Sequence, residues 1–278
     1  MIKLDMAAVE SLVERALEED MGSGDITTDN IIGADQKGSA EIIARQAGFV
    51  AGLPLVLAVF QKLDPAIECK FFISDGEKVT TDLVLAEVSG RIRALLSGER
   101  TALNFLQQMS AIATKTAAFV EKAAPYNVKI LDTRKTVPGL RVLAKYAVGT
   151  GGGHNHRFGL YDAAIIKDNH IIVAGSITKA VSLLKDKLPE KTNIEVEAET
   201  LKEVREALEA GVDMIMLDNM PVDIIKEAVK LVNGKAFLEA SGRVTLDTVE
   251  KIAATGVDYI SVGELTSSVN ALDISMDW

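Results

Sequence analysis

The spacing of apolar residues changes character about one third of the way along the chain. In the first part, Ala8, Val9, Leu12, Val13, Ala16 and Leu17 recur at helical spacing and predict a helix over about residues 5–19. The turn-rich segment Met21-Gly-Ser-Gly-Asp-Ile-Thr-Thr28 follows. Strand-like runs at 40–45, 67–73, 83–88 and 91–95, with a helix near 54–63 and turn signals at Asp75-Gly76 and Ser89-Gly90, predict an antiparallel sheet with helices against it. From Ser97 an amphipathic stripe containing Leu103, Leu106, Met109, Ile112, Ala113 and Thr116 predicts a long helix that ends near Ala124, before Pro125.

Beyond Pro125 the pattern alternates. Short apolar runs at 128–131, 163–166, 194–196, 214–217, 236–238 and 259–262 are separated by amphipathic helical segments at 139–147, 177–188, 201–210, 221–232 and 246–254. Buried parallel strands covered by helices produce this pattern, so the second part is α/β. A doubly wound sheet and a barrel both satisfy it. No Gly-x-Gly-x-x-Gly follows the first strand, which removes support for a dinucleotide fold. Polar residues decide for a barrel: Asp132-Thr-Arg-Lys135, Lys167-Asp-Asn169, Glu197, Asp218-Asn219, Glu239-Ala-Ser-Gly242 and Gly263-Glu264 fall at the strand ends, where one rim of a β/α barrel collects its chemistry. Six strands instead of the usual eight predict an incomplete barrel, open on one side.

Composition narrows the functional classes. The 278 residues are 48% apolar with 6 Pro and 21 Gly, enough for one large domain or two small ones with a real core, and against long disorder. A net charge of −10 argues against a nucleic-acid partner, which would require a basic surface. The longest apolar stretch, near 53–60, is about half of the roughly 20 residues a membrane crossing needs, so no membrane partner is expected. Residues 1–20 lack the basic start and apolar run of a secretory signal, and one cysteine, Cys69, can neither staple the chain nor build a thiolate metal site. The expectation is a cytoplasmic protein acting on small molecules.

The charge is unevenly distributed. Between Arg91 and His170 twelve Lys and Arg stand against five acids, a segment of +7 that leaves −17 on the remainder. All three histidines, His154, His156 and His170, lie in it, as does Gly151-Gly-Gly153. Such a run is either a solvated basic face or a pocket for a ligand with several negative charges, which Arg forks and Lys point charges would hold. Glu197 and Asp218, at consecutive strand ends, either hold Mg²⁺ or one developing positive charge, or pair with rim cations. Glu195, Glu199 and Asp213 nearby read as surface residues. Ser241-Gly242 and Gly263 follow the last two strands, a frequent phosphate site in barrels, although Ser-Gly alone is also a common turn. His154 and His156 would point the same way on a strand, but no third ligand is at a convincing spacing. No Gly-x-Ser-x-Gly elbow supports a nucleophilic triad.

Eight segments together resemble the quinolinate phosphoribosyltransferase family, the carboxylating nicotinate-nucleotide pyrophosphorylases, along nearly the full chain. They are Glu19–Thr28, Gly98-Glu-Arg-Thr-Ala-Leu-Asn104, Asp132–Arg141, Asn155-His-Arg-Phe-Gly-Leu160, Ile166-Lys-Asp-Asn-His170, Glu195-Val-Glu197, Leu217-Asp-Asn219 and Glu239-Ala-Ser-Gly242. Arg243 departs from the pattern, since many relatives carry a second Gly there. The resemblance implies an N-terminal α/β sandwich over 1–108 completed by 266–278, an open barrel over 109–265, and a homodimer in which Arg100 reaches the neighbour's site. It implies quinolinate and phosphoribosyl pyrophosphate as substrates, Mg²⁺ as cofactor, and nicotinate mononucleotide, pyrophosphate and CO₂ as products in NAD biosynthesis. On that reading Arg100, Arg134, His156 and Arg157 bind the two carboxylates of quinolinate, and Lys135 and Lys167 face the pyrophosphate. Glu197 and Asp218 steady the ribose, the metal (directly or through water) and the cationic carbon, while Ser241, Gly242 and Gly263 cradle the 5-phosphate. Two other readings stay open. One is a related pyrophosphorylase-like protein, of the type associated with molybdenum transport, acting on another anionic acceptor. The other is a non-catalytic sugar-phosphate sensor.

Overall fold

The computed structural model describes residues 4–189 and 192–278, so the first three residues of the N-terminal segment lie outside it. The helical spacing near the N-terminus forms α1 (Met6–Met21), which buries Val9, Leu12, Val13 and Leu17 and is capped by Asp5 accepting the Ala7 N–H. There follow α2 (Thr28–Ile31), β1 (Lys37–Ala44), β2 (Gly48–Phe49), α3 (Leu53–Leu63), β3 (Glu68–Phe71), β4 (Lys78–Val79), β5 (Leu83–Arg91) and α4 (Ile92–Ala123). Of the strand expected at 91–95, Arg91 ends β5 and the rest is the first turn of α4. Ser89-Gly90 is not a turn but the end of β5. Glycine is needed there for space: a Cβ on Gly90 would stand 2.6 Å from Ile67 Cγ1. Gly98, which sets the apparent helix start too late, lies within α4, where a Cβ would meet Leu63 at 2.9 Å and Phe60 at 3.1 Å on α3.

The second part runs β6 (Lys129–Leu131), α5 (Arg141–Thr150), β7 (Ala164–Ile166), α6 (Asp168–Ala174), α7 (Ile177–Lys185), β8 (Ile194–Ala198), α8 (Leu201–Glu209), β9 (Met214–Asp218), α9 (Val222–Val232), β10 (Phe237–Ser241), α10 (Val249–Ala253), β11 (Tyr259–Ser261) and α11 (Glu264–Ser267), before β12 (Ile274–Asp277). Helices α8 and α9 bury Val204, Ala207, Ile225, Ala228 and Val232, the stripes that their spacing predicts. The six parallel strands are ordered β6-β11-β10-β9-β8-β7. β6 and β7 therefore form the two edges, and the barrel is open between them. Beside β6 the segment around His154 takes part of a strand's place, donating to Ile130 O (2.8 Å) while the Asp132 N–H donates to His154 O (3.1 Å).

The chain divides into two compact units: Met1–Ala117 with Val142–Gly152 and Ser268–Trp278, and Ala118–Arg141 with Gly153–Ser267. In the first, an antiparallel sheet of order β12-β1-β5-β3 includes the C-terminal strand, and Gln107 Nε2 donates to Ile274 O (2.7 Å). Most of α5 packs in this unit although its sequence lies among the barrel segments. Tyr146 OH donates to Asp75 Oδ2 (2.7 Å), and the Asp75 carboxylate also accepts the Gly52 and Leu53 N–H groups at the start of α3. The second unit is the open barrel. Among the described residues no helix is long and apolar enough to cross a membrane.

Candidate active site on the barrel rim

Parallel register brings the strand ends of the second unit to one level. Ser241 stands opposite Asp218, and Glu197 opposite Met216. Around them a pocket of about 540 Å³ is lined by Thr133, Arg134, Lys135, His156, Arg157, Lys167, Glu197, Asp218, Asn219, Glu239, Ser241, Gly242 and Arg243, with Ile165, Met216 and Ser261. The cations and the carboxylates singled out in the barrel sequence thus meet in one cavity. Lys167 Nζ donates to Glu197 Oε2 at 2.7 Å, which leaves Glu197 Oε1 and the Lys167 N–H groups not used in that bond to face a ligand. Burial and the neighbouring Arg134 guanidinium both pull the pKa of Arg157 below its usual value. Two like charges lining one pocket favour an anion between them.

Other cations of the basic segment do different work. Arg93 donates to Ile32 O (2.7 Å), Lys122 to Leu246 O (2.8 Å), and Lys145 is fully buried in α5. Arg141 bonds Thr136 Oγ1, Phe158 O and Arg134 O, folding the loop that carries Arg134 and Lys135. Gly263 does not line the pocket. A Cβ there would stand 2.9 Å from Lys135 Cδ, so its contribution is room for the lysine stem. Arg100 belongs to the first unit, where it is exposed beside a hollow of about 280 Å³ lined by Asp20, Gly24, Asp25, Ile26 and Ser97.

Beneath the pocket lies a cluster that sequence reasoning missed. Glu195, expected at the surface, is only 6% exposed, and Glu239 is fully buried; both carboxylates approach His156 Nε2, at 3.2 Å and 3.3 Å. Glu199 and Asp213 are exposed as expected. Strand parity carried the missed signal: residues two apart share a face, so a lumen-facing Glu197 implies a lumen-facing Glu195. His154 is exposed while His156 turns inward, because the chain leaves its bridge with β6 after His154. The Arg157 N–H donates to His156 Nδ1 (2.7 Å), and the buried Asp132 carboxylate accepts the His156 N–H (2.8 Å) and Asn155 Nδ2 (2.6 Å). With Nδ1 accepting a hydrogen bond, Nε2 is the nitrogen that faces Glu195 and Glu239. Both ring nitrogens are engaged within the protein, so His156 shapes the pocket floor and fixes Arg157 without offering a free N–H.

Burial alone would lower the His156 pKa. Hydrogen bonds and charge from Glu195 and Glu239 outweigh it and push the value up to about 10. Burial likewise holds the Glu195 carboxyl above its ordinary range. An unfolded imidazole titrates near about 6.5. The stabilisation from this cluster is therefore complete below that pH and is lost as pH rises through about 10. Thermal melts between pH 7 and pH 10 are expected to fall more steeply for the wild type than for His156→Gln; parallel curves would remove the cluster from the stability account.

With this geometry in view, the comparisons with known proteins are specific. Residues 25–110 match the family model for the quinolinate phosphoribosyl transferase N-terminal domain, and residues 112–277 match that for its C-terminal domain. The chain is 46% identical over 269 residues to a probable carboxylating nicotinate-nucleotide pyrophosphorylase of Bacillus subtilis, covering 97% of this chain and 93% of the relative. It is 44% identical over 287 residues to the decarboxylating quinolinate phosphoribosyltransferase 1b of Nicotiana tabacum, covering 96% and 81%. The crystal structure of NadC from Streptococcus pyogenes superposes with a TM-score of 0.97 at 40% identity, covering 100% of this chain and 98% of that one.

Proposed function

The chain belongs to the quinolinate phosphoribosyltransferase family, and from that premise we propose how its rim pocket joins quinolinate to phosphoribosyl pyrophosphate. The reaction gives nicotinate mononucleotide, pyrophosphate and CO₂ in NAD biosynthesis. The observation that carries the site assignment is the convergence of charge in one cavity: Arg134, Lys135, Arg157 and Lys167 with Glu197 and Asp218.

Quinolinate has two adjacent carboxylates, and Arg134 and Arg157, the latter steadied by Nη1 donating to Ala163 O (3.0 Å), supply guanidinium donors for them. Lys135 and Lys167 lie on the pyrophosphate side and draw off the charge that develops on the leaving group. Loss of pyrophosphate leaves an anomeric carbon with oxocarbenium character. Glu197 and Asp218 face that charge and the ribose hydroxyls, and Lys167 keeps Glu197 in place. Ser241 and Gly242 bind the 5-phosphate. In this half-site the substrate is held for in-line attack by the pyridine nitrogen, so positioning supplies much of the rate. Departure of CO₂ then leaves an electron pair on the ring carbon beside the cationic nitrogen, and the surrounding guanidiniums stabilise it until it takes up a proton.

The carboxylate donors fit Mg²⁺, which favours one or two carboxylates plus substrate oxygens. With Lys167 on Glu197 Oε2 and Asn219 on Asp218 Oδ2, one oxygen of each carboxylate remains to hold the ion directly or through water. When bound, Mg²⁺ would neutralise diphosphate charge.

The working form is a homodimer in which Arg100 completes the neighbour's quinolinate pocket. Arg100 is exposed in the first unit, and the second unit exposes Leu160 (71%), Tyr161 (82%), Ile172 (74%) and Val173 (89%). An apolar patch of this kind is characteristic of an interface. Arg100→Ala and Lys167→Ala are each expected to be nearly inactive alone. Mixed after dissociation, a two-fold dimer places both lesions in one site and leaves the other intact, so about a quarter of wild-type turnover of quinolinate with phosphoribosyl pyrophosphate should return. No recovery in verified mixed dimers would place Arg100 in its own subunit's chemistry or outside the site.

A further inference from the structure

Left-handed backbone is concentrated where two strand ends meet. Among the described residues four non-glycine positions have positive φ, and two of them, Asn219 (53°) and Arg243 (50°), flank one contact between the loops after β9 and β10. Between them Gly242 has φ 93°, and a Cβ on it would stand 2.3 Å from Asn219 Oδ1 and 2.6 Å from Asn219 Cγ. The asparagine amide thus occupies the space beside Gly242 that another residue would fill. Its backbone N–H donates to Ser241 O (2.9 Å), and its Nδ2 donates to Asp218 Oδ2 (2.6 Å). Asn219 is exposed, so core packing does not account for this conformation. Asparagine tolerates the left-handed region better than most residues, and its short side chain can bond locally while it does so.

We propose that Asn219 is a positioning residue for the phosphoribosyl half-site, orienting the Asp218 carboxylate and seating the Ser241–Arg243 loop at the same time. This rests on the assignment of Asp218 to the ribose and of Ser241 and Gly242 to the 5-phosphate. One side chain then sets the spacing between the two ends of the sugar phosphate. With Oδ2 tied to the amide, Asp218 presents Oδ1 at a fixed angle; without the amide the carboxylate turns freely and the loop loses its lateral support.

Two substitutions separate side chain from backbone. Asn219→Gly adopts the left-handed conformation easily but removes the amide. Asn219→Asp keeps the shape and faces Asp218 with a second carboxylate. Steady-state kinetics should be combined with calorimetric binding of phosphoribosyl pyrophosphate in Mg²⁺ and of quinolinate. For Asn219→Gly, KM and Kd for phosphoribosyl pyrophosphate are expected to rise about tenfold, the loss of one hydrogen bond to a charged group. Quinolinate binding should change less than about twofold, and Tm should hold within a few degrees. Asn219→Asp should lose more, about a hundredfold, from like-charge repulsion. Unchanged phosphoribosyl pyrophosphate affinity in Asn219→Gly, or equal loss for both substrates, would overturn the proposal. A wild type that binds no phosphoribosyl pyrophosphate would instead remove the half-site assignment and the proposal with it.

Discussion

Arg134→Ala is expected to lower kcat/KM for quinolinate by about a hundredfold or more while the fold stays intact. Loss of a charge-assisted, bidentate contact to a carboxylate costs on the order of 2–5 kcal/mol, and each 1.4 kcal/mol is about tenfold. The side chain is exposed and lines the pocket. Its backbone carbonyl, not its guanidinium, takes part in the Arg141 bonds that shape the loop. Removing the guanidinium therefore touches the ligand and spares the core, and Tm should shift by no more than a degree or two. Because the Arg134 charge lowers the Arg157 pKa, the substitution also relieves repulsion on Arg157, which slightly favours the free protein. KM for quinolinate should rise far more than KM for phosphoribosyl pyrophosphate. Arg134→Lys keeps the charge without the fork and should fall between the two. Near-normal quinolinate kinetics in Arg134→Ala would take this residue out of the acceptor pocket.

The second large effect concerns stability. Gly151 follows α5 in the first unit, and a Cβ added to it would stand 2.3 Å from Ala113 O, 3.0 Å from Ala113 C and 2.9 Å from Thr116 Cβ. Ala113 is buried in the middle of α4, and its carbonyl belongs to the helix ladder, so the obstructing atoms cannot step aside. Gly151→Ala must shift one helix against the other, at a cost of about 1–3 kcal/mol or more for an overpacked contact. For a unit of this size that lowers Tm by roughly 2–4 °C per kcal/mol. Gly33→Ala is the matched control: its nearest neighbour would be 3.9 Å away, and little change is expected. Equal melting temperatures for the two variants would show that α5 is not seated on α4 as described.

Much of this molecule can be read from periodicity because its second unit repeats one idea. Short runs such as Met214–Leu217 are apolar on both faces, and each is followed by a helix with one apolar stripe, so parallel strands under helices are the economical solution. The polar residues at strand ends then gather by topology alone, which is why the sequence pattern already groups Lys167, Glu197, Asp218 and Ser241. What the pattern could not supply was space. Gly90 and Gly98 look like breaks in the chain and are in fact close contacts inside a strand and a helix, with Ile67, Phe60 and Leu63 as the reasons. Gly151 lies in the basic segment and is a helix contact. The inward turn of His156 and the burial of Glu195 and Glu239 depend on a segment that substitutes for a barrel strand beside β6, and hydrophobic spacing carries no trace of it. The +7 segment was legible as charge, but Arg93, Lys122 and Arg141 bind backbone carbonyls away from the pocket, which charge alone does not reveal.

The acceptor decides the central claim, since Arg134 and Arg157 line one pocket and two guanidiniums suit a ligand with two neighbouring carboxylates. Initial rates should be measured with quinolinate and with nicotinate under identical phosphoribosyl pyrophosphate and Mg²⁺, following CO₂ release and nucleotide formation. Quinolinate is expected to give nicotinate mononucleotide with one CO₂ per turnover. Nicotinate, which leaves one fork unpaired, should be at least about a hundredfold poorer in kcat/KM. Comparable rates for the two acids would contradict the two-carboxylate pocket and with it the roles given to Arg134 and Arg157.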